Sequence, residues 1–86
     1  MYSVELSQKA RKFLDSLDNH LSNRIEERLK NLAENPVPHD SKFIGRHEGD
    51  KVFRYRIGGY RALYKVKGKE KVVLITKIDK RDRVYQ

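Results

Sequence analysis

The chain has 86 residues, no cysteine and a formal charge of +8, from 20 Lys and Arg against 12 Asp and Glu. That is enough for one domain, 1–86, whose core must hold without disulfide staples. Apolar residues make up 37%, below the usual share of roughly 45–50%, so the expectation is a small core under a heavily charged surface.

Tyr2-Ser3-Val4-Glu5-Leu6 alternates apolar and polar, which predicts a short strand with Tyr2, Val4 and Leu6 inward. Ser7 reads as a helix N-cap, and Ala10, Phe13, Leu14 and Leu17 come after it at helical spacing. Asp18-Asn19-His20 breaks that helix. Leu21, Ile25, Leu29 and Leu32 define a second one, which Asn35-Pro36 stops. Val37 to Ser41 reads as a loop, and the segment around Phe43-Ile44-Gly45 as a lead-in to the basic half of the chain. From Lys51 the period changes to two. Val52–Ile57, Tyr60–Val66 and Val72–Ile78 read as strands, joined by the two-residue Gly58-Gly59 turn and a looser turn over 67–71. The order strand, helix, helix, three strands predicts an α+β fold, β-α-α-β-β-β, with a mainly antiparallel sheet carrying a helix pair on one face.

Charge divides as sharply as structure does. Residues 1–43 carry seven basic and seven acidic side chains, and residues 44–86 carry thirteen and five. The whole excess lies in the second half. It is either a solvated lysine-rich surface or the footprint of a nucleic acid, and segregation this complete favours the footprint. The longest apolar run, Val72–Ile75, falls far short of the roughly 18 residues a membrane span needs. The opening Met1-Tyr2-Ser3-Val4-Glu5 has neither the basic nor the apolar region of an export signal. We therefore expect a cytoplasmic protein with no membrane partner.

The tight hairpin fixes register, and register fixes faces. Ile57 should pair with Tyr60, Arg56 with Arg61, Tyr55 with Ala62 and Arg54 with Leu63. Phe53, Tyr55, Ile57, Tyr60, Ala62, Tyr64 and Val66 then face the helices. Arg54, Arg56, Arg61, Leu63 and Lys65 take the opposite side. In the last strand, Leu74 and Ile78 suit the core, which turns Lys77 outward together with Val73 and Ile75. Like charges directly opposite on a sheet are destabilising. The Arg56–Arg61 pair therefore either splays into water or clamps an anion, since paired guanidiniums match phosphate oxygens in geometry and charge. Lys80, Arg81, Arg83 and Tyr85 lie at and beyond the end of the last strand. Tyr85 either anchors the C-terminus or offers a ring on which a base stacks.

No phosphate-binding glycine loop, Cys pair or HExxH motif appears, so no cofactor or metal is expected. His20, His39 and His47 lie in presumed turns or loops; of the three, His47, beside Glu48 and the basic strands, is the best placed for general acid–base work.

Phe53-Arg54-Tyr55-Arg56-Ile57-Gly58-Gly59-Tyr60-Arg61-Ala62-Leu63-Tyr64, with Lys80-Arg81-Asp82-Arg83-Val84-Tyr85 after it, resembles the RelE/ParE superfamily of toxins from type II toxin–antitoxin systems. Nearly the whole chain fits, and the RelE branch fits best. The resemblance implies a ribosome-dependent endoribonuclease that cuts messenger RNA without metal, through attack of a ribose 2′-hydroxyl on the neighbouring phosphate. By motif the active residues fall on Arg54, Arg56, Arg61, Arg81 and Tyr85. The charge pattern itself adds Lys65 and Lys77 on the basic face, and Lys80 and Arg83 near its edge, as expected nucleic-acid contacts. Implied partners are an acidic, RelB-like antitoxin, the ribosome and its message, with operator DNA reached only through the antitoxin complex. Alternatives on the same fold are a ParE-like inhibitor of DNA gyrase and a non-catalytic RNA-binding module. One departure matters. The two positions before the hairpin are lysines in the best-known type and arginines here. An arginine is effectively never deprotonated, so either base catalysis is weak, or a group such as Lys80, Tyr85 or His47 acts as the base, or charge stabilisation dominates.

Overall fold

Strand, helix, helix and then strands is the order found in the computed structural model, which describes residues 1–80. β1 is Ser3–Leu6, α1 Gln8–Asp15, α2 Asn19–Lys30, β2 Ser41–His47, β3 Asp50–Ile57, β4 Tyr60–Lys67 and β5 Val72–Lys80. Local chemistry sets the helix starts. Ser7 and Asp18 hold extended backbone, and their side chains accept from the N–H groups of Ala10 and Leu21, satisfying donors that the first turn leaves open. Leu32 falls in a short 3₁₀ turn, Asn31–Ala33, just past α2.

Among the described residues the strands form one five-stranded sheet in the order β1-β5-β4-β3-β2. β1 runs parallel to β5, and the other pairs are antiparallel. Ala10 and Leu14 of α1, with Ile25 and Leu29 of α2, bury against Phe53, Tyr55, Ile57, Ala62, Tyr64, Val73, Ile75 and Ile78. The other face of the sheet carries no helix among the described residues, and Arg54, Arg56, Arg61, Lys65 and Lys77 lie there. No helix among the described residues is long and apolar enough to cross a membrane.

Two expectations are corrected. The sheet has five strands, because Ser41–His47 pairs with β3 as an edge. This strand shows no clean alternation: Ile44 is an extra residue bulged between the Phe43–Phe53 and Gly45–Val52 pairs, and both Phe43 and Ile44 are about half exposed. A bulge shifts the period-2 pattern by one residue. The second correction concerns β5. Val73 and Ile75 are fully buried, not outward, and Leu74 is only partly covered. Leu63 pairs with Lys77 while the next residue, Tyr64, pairs with Ile75, so Thr76 is an extra residue. It lets Val73, Ile75 and Ile78 all reach the core, while Lys77 still faces out.

Polar groups then fix the connection from α2 to β2. The Tyr64 hydroxyl donates to the Pro36 carbonyl at 2.8 Å. The Arg28 guanidinium lies 5.6 Å from the Tyr55 ring centroid and 3.6 Å from an Asp40 carboxylate oxygen. These contacts hold the segment before β2 and so place that strand at the sheet edge.

Candidate nucleic-acid interface

Gly58 takes φ +58°, a left-handed conformation that costs glycine nothing, and the two-residue turn sets the register of β3 on β4. Arg56 lies opposite Arg61, Arg54 opposite Leu63, Tyr55 opposite Ala62 and Ile57 opposite Tyr60, all four as the sequence predicts. Because Phe53, Tyr55 and Ile57 are buried, strand alternation sends Arg54 and Arg56 to the open face. On the far side of β4, Leu63 faces Lys77 and Arg61 faces Asp79. Two transverse rows result: Arg56–Arg61–Asp79 at the hairpin end, and Lys42–Arg54–Leu63–Lys77 behind it.

Sequence reasoning missed two members of these rows. Lys42 was hidden because nothing in the local pattern marks β2 as a strand. Asp79 could have been found from its position two residues beyond Lys77, on the same face. It matters electrostatically: Arg61 stands between a like charge and an opposite one, so the repulsion expected from Arg56 is partly offset within the sheet.

The other end of the open face is different in kind. Glu48, at φ +54° in the turn between β2 and β3, accepts from the Lys65 ammonium at 3.2 Å and lies 3.3 Å from His47 Nδ1. The Lys65 hydrogen bond and its charge hold the Glu48 carboxyl below the usual range. Lys67 donates to Asp50 at 3.2 Å, and that bond raises the Lys67 ammonium above its ordinary value. Only 13% of the Lys65 side chain is exposed. His47 sits opposite Asp50, six residues along β3 from Arg56, a separation of roughly 20 Å by strand rise. The fold does not bring His47 to the arginine pair.

Lys80 is exposed and lies opposite Tyr60, so strand parity assigns it to the helix side of the sheet end rather than to Arg61's face. Arg81, Arg83 and Tyr85 lie outside the described residues. Among the described residues no group of three His, Asp or Glu side chains is placed to hold a metal ion. The chemistry the two transverse rows offer is an array of cations with one acid, Asp79, at its margin, suited to an anion with repeated charges.

Comparison with known proteins gives consistent relatives. A model of the family described as the ParE toxin of the type II toxin–antitoxin system parDE matches residues 4–85. A curated protein of Methanocaldococcus jannaschii that carries the name toxin RelE1 is 31% identical over 86 residues, covering 99% of this chain and 96% of that one. A chain of the crystallised archaeal RelE–RelB complex from Pyrococcus horikoshii OT3 superposes with a TM-score of 0.83 at 32% identity, over 95% of this chain and 97% of that one. The toxin–antitoxin complex RelBE2 of Mycobacterium tuberculosis gives 0.77 at 28% identity, over 93% and 98%.

Proposed function

Because this chain belongs to the RelE/ParE superfamily of type II toxin–antitoxin toxins, we propose that it is a ribosome-dependent endoribonuclease of the RelE type. The observation that carries this reading is the gathering of Arg54, Arg56 and Arg61 on one open sheet face by a single hairpin register. In the proposed reaction a ribose 2′-oxygen attacks the adjacent phosphorus, the bond to the 5′-oxygen breaks, and the products are a 2′,3′-cyclic phosphate and a 5′-hydroxyl. The attacking hydroxyl loses a proton and the leaving oxygen gains one. Between those events the phosphorane carries extra negative charge, which preorganised guanidiniums stabilise.

Arg54, Arg56 and Arg61 are assigned to that charge, with Arg81 assisting at the leaving oxygen and Tyr85 stacking on a base to orient the step. Lys77 is assigned a phosphate contact, and Lys65, Lys80 and Arg83 contribute diffuse attraction, Lys65 only where it releases Glu48. An arginine does not serve as the base, and His47 is too distant. Lys80 lies on the helix side of the sheet end, so the base is Tyr85 or a group of the ribosome, which also holds the message for in-line attack. We assign the protein to the cytoplasm, with an acidic antitoxin as partner, as RelE–RelB complexes of relatives support, and operator DNA reached only through that complex.

The ParE-family match favours one second reading, inhibition of DNA gyrase by binding alone. Primer extension on a translated message, with and without ribosomes, separates the two. Cleavage only with ribosomes, slowed about a hundredfold in Arg61→Ala, is the expected result. Intact message beside blocked supercoiling by gyrase supports the second reading. Equal cleavage of naked RNA removes the ribosome from the mechanism.

A further inference from the structure

We propose that Lys42, on the edge strand β2, is a phosphate-binding residue of this face, and that the RNA crosses the strands from Lys42 past Arg54 to Lys77. The inference rests on the RNA-binding reading above and adds to it a residue and a direction.

Register supplies the geometry. Lys42 lies opposite Arg54, Arg54 opposite Leu63, and Leu63 opposite Lys77. The row crosses three inter-strand gaps, about 14 Å in all. The side to which Lys42 points is settled by its neighbour. The Phe43 ring packs edge-on against Phe53 at 5.7 Å, on the helix side, so alternation turns Lys42 to the open side. Lys42 is exposed, and no ion pair reaches it among the described residues. Leu63, partly covered between Arg54 and Lys77, offers an apolar floor to a ribose or a base.

Charge closes the alternative path. Moving along the strands from Arg54, the polyanion meets Lys65 bound to Glu48 and Lys67 bound to Asp50. Those two carboxylates place negative charge where phosphates would pass. Among the described residues, the positions of the transverse row are Lys42, Arg54, Leu63 and Lys77, and Asp79 belongs to the neighbouring row, beside Arg61. A phosphate chain therefore gains more by crossing the strands than by running along them.

The test uses the full chain and a short single-stranded RNA, with affinity measured over a range of salt. Removing one phosphate contact lowers the slope of log affinity against log salt by about 0.7 for single strands. Lys42→Gln should show that loss, with affinity down roughly three- to tenfold, and Lys42→Arg should restore it. Lys69→Gln makes the same change of net charge on the exposed turn between β4 and β5 and should leave the slope unaltered. Equal effects of the two glutamine variants would reduce the role of Lys42 to net charge and overturn the proposal, as would an unaltered slope in Lys42→Gln. A wild-type chain that binds no free RNA at low salt, or one that binds normally with an inert Lys42, sinks this inference, whereas the underlying reading fails only if the wild-type chain does not cleave a translated message on ribosomes.

Discussion

Tyr64 shows what one residue can carry in a core this small. Its ring is fully buried and stacks on Phe53 at 5.6 Å, while its hydroxyl reaches the Pro36 carbonyl. Burial pushes the phenol up to about 12, from an ordinary value of 10.0. Between those values the unfolded chain gives up a proton that the folded chain keeps. Tyr64 therefore contributes its full stability below the unfolded value, and that contribution is lost as pH rises through the folded one. Its share of the alkaline loss is on the order of 2 kcal/mol. Tyr64→Phe should lack that share of the slope, and near neutral pH it should be less stable by about 1 kcal/mol, because the carbonyl loses its donor. Denaturant melts of both proteins from neutral to strongly alkaline pH check this; parallel curves would show that the phenol ionises freely in the fold.

The elements show why some of the architecture was legible in sequence and some was not. Both helices and the central hairpin could be read because each carries its own signal: a capping Ser or Asp, apolar residues at helical spacing, or a glycine pair between alternating strands. The common face of Arg54, Arg56 and Arg61 was legible for the same reason, since a two-residue turn determines which side chains face each other. β2 and the parity of β5 were not, because each contains a bulge, and a bulge is fixed by contacts distant in sequence. Thr76 illustrates this. Its carbonyl accepts from the Ser7 hydroxyl at 3.0 Å, and its own hydroxyl donates to the Leu63 carbonyl at 3.2 Å. Ser7 therefore both caps α1 and ties it to the bulge that aims Lys77. Ser7→Ala should cost about 1–2 kcal/mol, read as a shift in the urea midpoint. Ser7→Asp keeps the cap acceptor but has no proton to donate when ionised, so it should recover only part of the loss. Full recovery would mean that the tie to Thr76 contributes nothing.

At the scale of the molecule, the decisive feature is the separation of charge from exposed apolar surface. The +8 excess belongs to the second half of the sequence, and Arg54, Arg56 and Arg61 of that half stand on the open face of the sheet. Val37, Phe43 and Ile44, three of the exposed large hydrophobics among the described residues, gather instead on β2 and the segment leading to it. An acidic antitoxin is expected to use the two differently: long-range attraction to the cations speeds encounter, while desolvated apolar contacts hold the complex together. Raising salt from low to physiological levels should therefore slow association by about tenfold or more and change dissociation little. Phe43→Ala should do the reverse, leaving association near wild type and speeding dissociation by about tenfold or more. Stopped-flow association and chase-initiated dissociation, measured with the antitoxin in excess, separate the two rates. If Phe43→Ala left dissociation unchanged, the edge strand would lie outside the antitoxin contact, and the affinity of the complex would have to come from the charged face itself. In that case dissociation, and not only association, would respond steeply to salt.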